Sequence, residues 1–283
     1  MLQIRGMRRD DISFAVHLTN QEGWDVPRRD FERILRLDPR SSFVATEYGH
    51  KVGITTTTCY GRRIAWIGNV VVRKQDRHRH VGQQLVDHAV AYLSEKRVKD
   101  IALYCFKHNV PFYTRLGFVR GPRFARLRRE HQRPSASAPK SPETSRLTLP
   151  RLLSIDRRAF GADRERLLKL LLNPSYAWYL GYTAGSSSSF LIVKKYDDMY
   201  ELGPWVSFGL GRSELNSLLL MALRTARGKP IEASCSLTNR TAIEVMRSRG
   251  FRLVNDGRLM FYERNVKLGQ PKAIVAYGFL DKG

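Results

Sequence analysis

Hydrophobic positions along the chain alternate between near-continuous runs of strand length and runs spaced three and four residues apart. Leu2–Met7 reads as a short strand. Asp10 or Asp11 can cap a helix running to about Asn20, with Ile12, Ala15, Val16 and Leu18 on its apolar side. Beyond Gln21–Asp25 a second helix carries Phe31, Ile34, Leu35 and Leu37 and stops at Asp38-Pro39. Ser42–Tyr48 and Val52–Tyr60 read as strands joined at Gly49-His50. Ile64–Val72 is apolar and β-branched throughout, as a strand buried on both faces requires. The basic turn Arg73–Gly82 follows. From Gln83 a helix places Leu85, Ala89 and Tyr92 in register, flanked by Val86, Val90 and Leu93. Asp100–Phe106 is another strand, and a short helix then ends at Gly117-Phe118.

From Arg120 the composition changes. Arg120, Arg123, Arg126, Arg128, Arg129 and Arg133, with Phe124 and Leu127 between them, fit either a last strand or a basic arm. The Pro/Ser/Ala stretch 134–143 reads as a linker. It divides the chain into residues 1–133 and 144–283.

The second part repeats the order of the first. Arg146–Leu149 is strand-like, Leu152–Phe160 and Arg164–Leu172 read as helices, and Tyr176–Tyr182, Ser189–Lys195 and Tyr200–Val206 as strands. Glu214–Arg224 is a helix, Ile231–Ser236 a strand, and Asn239–Arg249 a helix ending at Gly250-Phe251. Gly-Phe thus recurs about half a chain apart, as in a duplicated domain.

Charge and cysteine content narrow the picture. Lys and Arg number 49 against 26 Asp and Glu, a formal net charge of +23. That excess suits polyanions, acidic substrates or nucleotide phosphates, and equally suits a chain that is simply basic throughout. Nucleic acid is therefore a possible partner from charge, but no helix-turn-helix, zinc or RNP pattern supports it. Cys59, Cys105 and Cys235 are far apart in apolar settings, which fits free thiols in a reducing cytoplasm and gives no metal-ligand spacing. No apolar run is long enough to span a bilayer, and Met1–Arg5 lacks a secretory h-region, so a cytoplasmic location is expected. Oligomeric state is open.

The strand–basic turn–helix at 64–92 is the stretch with chemistry. A helix N-terminus offers unpaired N–H donors and a favourable dipole to an anion, and the flanking arginines add charge. This stretch resembles motif A of the GNAT N-acetyltransferases, whose pyrophosphate loop is written Q/R-x-x-G-x-G/A. Here it stands as Arg77-x-x-His80-x-Gly82, with His80 in place of the first glycine. That exchange removes the positive-φ freedom and close approach that Gly permits. Asn109–Phe118 resembles GNAT motif B, a short helix ending at Gly-Phe with a tyrosine four residues before the Gly; Tyr113 fills that place. Relatives often carry an Asn eleven residues before this Gly, where Phe106 stands, and Asn109 comes three residues late. In the second part Asn239 keeps that spacing to Gly250, but Met246 takes the tyrosine position and no phosphate loop precedes Glu214.

The whole chain resembles tandem GNAT proteins. The resemblance implies an α/β (α+β) fold of two GNAT-like domains, each a mixed, mostly antiparallel twisted sheet flanked by helices. It implies transfer of an acetyl group from acetyl-CoA, as co-substrate, to an amine acceptor, without a metal. Val70, Val71 and Val72 would meet the pantetheine arm, and Arg77, His78, Arg79, His80, Val81, Gly82 and Gln83 the pyrophosphate. Asn109, Phe112 and Tyr113 would border the cofactor. Tyr113 would protonate the departing thiolate, a task for a weak acid of pKa about 10. No Asp or Glu lies in 64–72 to act as base, so Glu22 is a candidate from the turn bordering the acceptor, with Trp24 beside it to contact substrate. The acceptor, a small-molecule or peptide amine, is expected between the two domains, and residues 1–133, provided that they fold alone, are expected to hold acetyl-CoA while losing most acceptor-dependent turnover. A non-catalytic acyl-CoA-binding regulator and a nucleic-acid-associated acetyltransferase are the alternatives.

Overall fold

The computed structural model describes residues 1–130, 147–226 and 228–283, so the 134–143 linker and Arg146 lie outside the described residues. The first half runs β1 (Leu2–Gly6), α1 (Ile12–Asn20), α2 (Arg28–Leu37), β2 (Ser42–Glu47), β3 (His50–Tyr60), β4 (Ile64–Val72), α3 (Val81–Glu95), β5 (Asp100–Phe106), α4 (Val110–Arg115) and β6 (Phe118–Arg129). The second runs α5 (Leu149–Phe160), α6 (Glu165–Leu171), β7 (Ala177–Ala184), β8 (Ser187–Lys195), β9 (Tyr200–Phe208), α7 (Arg212–Thr225), β10 (Ile231–Ser236), α8 (Arg240–Ser248), β11 (Arg252–Tyr262) and β12 (Ile274–Ala276).

Local chemistry sets most of these limits. Tyr48 and Gly49 both take positive φ, the backbone of a tight hairpin turn between β2 and β3. α3 buries Val81, Leu85, Val86, Ala89 and Leu93 along one stripe. It begins two residues earlier than the apolar periodicity suggests, which puts Gly82 in its first turn. α4 and α8 each stop before a glycine in the left-handed region, Gly117 at φ 86 and Gly250 at φ 82. Leu149, read as the end of a strand, opens α5 with Pro150 in the first helical turn, where its missing N–H costs nothing.

All twelve strands of the described residues belong to one sheet, in the order β1-β2-β3-β4-β5-β11-β6-β10-β9-β8-β7, with β12 against β9. The halves are joined by exchanged strands. β11, from the second half, pairs antiparallel with β5 (Gly257 opposite Phe106), and β6, from the first, pairs antiparallel with β10 (Phe124 opposite Ser236). The two pair with each other at the centre. Residues 1–133 therefore lack a strand that their own sheet needs between β5 and β6. β6 settles the strand-or-arm question in favour of a strand. Three of its arginines are spent on the second half: Arg123 on Asp256 of β11 at 2.7 Å, Arg126 on Glu232 of β10 at 2.6 Å, and Arg129 on the carbonyl of Arg249, at the end of α8, at 2.9 Å.

The core is shared as well. Tyr60, Ile64 and Trp66 from the first half pack in one cluster with Leu152, Phe160, Leu167 and Phe190 from the second. The other face of β4 and β5 is covered by α3 and α4 through Ile67, Val86, Ala89, Leu103 and Tyr113.

Candidate active site

β4 and β5 pair in parallel over three residues only, Ile64–Trp66 with Asp100–Ala102. Beyond them the strands diverge, β4 to Val72 and β5 to Phe106. β4 bulges here: its register with β3 shifts between Ile54 and Thr56, and Asn69 takes φ 49. The resulting wedge opens into a cavity of about 1500 Å³. Val70, Val71 and Val72 line one wall, with Asn109, Phe112 and Tyr113 also on its surface.

The basic turn closes one end. His78 and His80 stand at φ 63 and 60, and Arg79 between them does not, an alternation that gathers backbone N–H groups around an anion. His80 is the N-cap of α3 and supplies no side-chain cap. The N–H groups of Val81, Gly82 and Gln83 have no partner among the described residues; the first helical bond runs from Gln84 to His80 at 3.0 Å. His80 thus occupies the left-handed conformation that its replacement of glycine was expected to forgo. A Cβ at Gly82 would stand 3.6 Å from Phe112 and Val72, so the protein itself has room for one. These features suit a pyrophosphate: free N–H donors at a helix start, and close approach at Gly82.

Fewer of the turn's charges are available than the sequence suggests. Arg77 donates to the Val72 carbonyl at 3.1 Å and forms an ion pair with Glu22. Arg79 pairs with Glu47 at 2.8 Å and Asp76 at 3.3 Å, and does not line the cavity. Arg77, His78, His80, Val81, Gly82 and Gln83 do. Glu22 lines the cavity too, with its charge committed to Arg77, which makes it a brace for the turn. Trp24 reaches the cavity while packing against the cluster of Met7, Ile12 and Phe31.

Tyr113 is 8% exposed, and its hydroxyl has no hydrogen-bond partner among the described residues. Burial pushes its phenol above the ordinary value, so the ring enters any reaction protonated. Cys105 also lines the cavity, but burial pushes its thiol up to about 12 and leaves it no nucleophile at neutral pH.

The far wall comes from the second half: Tyr176, Tyr196, Asp197, Asp198, Glu201 and the segment Phe279–Asp281. No pattern in the sequence marked these residues. Beyond Gly250-Phe251 the chain has little periodicity, and only the exchanged strands and the path of 274–283 bring it back to β4.

Residues 38–120 match one acetyltransferase (GNAT) domain family and residues 152–273 another. The chain belongs to the GNAT acetyltransferases, with two such domains in tandem, and is an N-acetyltransferase. Among solved structures it is similar to a putative acetyltransferase from Pyrococcus horikoshii, with TM-score 0.80 and 20% identity over 100% of this chain and 96% of that one. A tandem GNAT protein from the clavulanic acid biosynthesis pathway gives TM-score 0.71 and 15% identity, over 94% and 100%. A GCN5-related N-acetyltransferase from Sphaerobacter thermophilus gives 0.68 and 13%, over 98% and 97%. At these identities the likeness is one of fold. No curated protein matches the chain.

Proposed function

We propose that the chain transfers the acetyl group of acetyl-CoA to the amine of a small acceptor that enters between the halves. The carrying observation is that one cavity joins the open N-terminus of α3, the Tyr113 hydroxyl and a wall supplied by the second half. When bound, acetyl-CoA supplies an acyl group activated as a thioester. The diverging edge of β4 at Val70–Val72 offers backbone groups to an extended pantetheine arm, while Val81–Gln83 offer N–H donors to the pyrophosphate. Tyr113 presents a neutral phenol that could donate its proton to a departing sulfur. Most of the acceleration then rests on positioning two reactants in a shared enclosure.

A cofactor binder without activity is suggested by His80 in the turn and by the lack of an acidic residue on β4; the left-handed backbone at His80 speaks against the first of these, since the turn keeps the shape a glycine would give it. The test is release of free CoA from acetyl-CoA across a panel of amines. Thiol release that depends on the amine, with an N-acetylated product, supports the reading. Acetyl-CoA binding without turnover on alkylamines, arylamines or peptide amines defeats it.

A further inference from the structure

The final segment of the described chain carries a carboxylate to the floor of the open wedge. Its path is held at several carbonyls: Lys194 donates to Gly278, Tyr60 to Lys282 and Arg164 to Gly283. Arg164 is itself fixed by a two-pronged pair with Asp156, at 2.7 and 3.1 Å. The segment lies so close to β4 that a Cβ at Gly68 would fall 2.3 Å from the Asp281 carbonyl oxygen. Asp281 therefore has one place to be, beside the bulge at Asn69.

There the Asp281 carboxylate uses one oxygen. Oδ2 accepts from Asn69 at 2.9 Å and from the Lys282 ammonium at 2.5 Å, and Oδ1 has no partner among the described residues. The side chain remains 19% exposed and lines the cavity. Burial would raise its pKa, but Lys282, Asn69 and the charge of Lys194 outweigh that and hold it below the usual carboxylate value. It is an anion at neutral pH, and a poor proton acceptor. Burial pushes the Tyr196 phenol well above its ordinary value, helped by Glu201, Asp30 and Asp281 around it; each is paired with a cation, Glu201 with Lys194 at 2.6 Å, Asp30 with Arg33 and Asp281 with Lys282.

We propose that Asp281 docks the acceptor, taking the ammonium of a cationic alkylamine through Oδ1 beside the bulge of β4. This rests on the acetyltransferase reading and deepens it. The carboxylate missing from β4 is supplied from the other half of the chain, as an anchor for charge. The Phe279 ring already carries Lys194 at 4.3 Å and Lys282 at 5.0 Å, and Tyr196 carries Arg29 at 5.5 Å, so the docking rests on Oδ1 of Asp281 and not on these rings.

Steady-state kinetics with 1,4-diaminobutane and with aniline, which is uncharged at neutral pH, separates this from a structural role. Asp281→Asn is expected to raise KM for the diamine roughly tenfold to hundredfold, the usual worth of a hydrogen bond to a charged group. Its effect on kcat and on aniline should stay small, with acetyl-CoA affinity unchanged and Asp281→Glu restoring part of the loss. The double variant Asp281→Asn/Lys282→Met removes both charges, so no orphaned lysine is left to unfold the segment, and it should show the same selective loss. An unchanged KM for the diamine in the folded double variant overturns the proposal, as does an equal loss on diamine and aniline. A parent enzyme that acetylates aniline but no alkylamine overturns it too. Failure of the parent to bind acetyl-CoA would instead strike the acetyltransferase reading itself.

Discussion

The two halves build the same wedge and treat it in opposite ways. In the first, β4 and β5 part after Trp66 and Ala102 and leave a cavity. In the second, β9 and β10 pair in parallel over Tyr200–Leu202 and Ile231–Ala233 and then part in the same manner. The gap between them is taken by the chain itself. β12 pairs with β9 at Trp205 and Val206, and the Tyr277 N–H donates to the Ser234 carbonyl of β10 at 2.7 Å. A Cβ at Gly203 would fall 2.0 Å from the Tyr277 carbonyl oxygen, so no room remains there. The position equivalent to Tyr113 holds Met246, fully buried. One fold thus serves as a site where the wedge is left open and as a wall where its own chain fills it. The same closing segment then runs on to deliver Asp281 to the open wedge.

The largest effect expected from this comparison is on folding. A fragment of residues 1–133 lacks β11, which leaves β5 without its neighbour and β6 without either partner. It should fail to give a cooperative thermal transition, and a folded, soluble fragment would show that the halves are less interdependent than the exchanged strands imply. Next comes stoichiometry. Calorimetric titration should find one acetyl-CoA site per chain, and a second equivalent site would mean that β12 can be displaced.

Within the open wedge, Tyr113→Phe should lower kcat on the order of 10²-fold while leaving acetyl-CoA affinity intact, since it removes the proton and keeps the ring. Parental turnover in that variant would take the acid role away from Tyr113. A smaller effect is expected at Gly82. Because the protein has room for a Cβ there, Gly82→Ala should leave thermal stability equal or raised by up to about 1 kcal/mol. Cofactor affinity should nonetheless fall roughly tenfold if phosphate must approach the backbone at that point. Unchanged affinity would remove the pyrophosphate from this turn. The smallest change is at His80, whose left-handed backbone costs roughly 1–2 kcal/mol in a residue with a Cβ. His80→Gly relieves that cost and adds freedom to the unfolded chain, so stability should move by less than about 1 kcal/mol. Cofactor binding should be equal or a few-fold tighter; a marked loss of affinity would mean that the imidazole itself contacts the ligand.

Much of the first half was legible because its signals are local. β4 shows as an unbroken β-branched run, α3 as a stripe, and the turn between them as a charge cluster at a helix start. Tyr113 was found by its distance from Gly117, and the structure places it on the cavity wall. The bracing role of Glu22 and the outward turn of Arg79 were not legible. Both depend on which charges meet after folding, here Arg77, Asp76 and Glu47. β11 escaped notice because register shifts break its alternation and Leu253 and Val254 stand exposed, at 57% and 50%.

The amino-acid order by itself determined most of the elements, the duplication, the basic turn at the start of α3 and the absence of such a turn from the second copy. All of these rest on contacts within a few residues, where periodicity, caps and glycine positions act directly. The tertiary structure alone decided that β6 and β11 change places, that one wedge is filled and the other left open, and that Asp281 lies beside Asn69. Those outcomes join residues as much as 212 positions apart. They are set by where buried strands and carbonyls find partners across the whole sheet, a competition that no window of sequence contains.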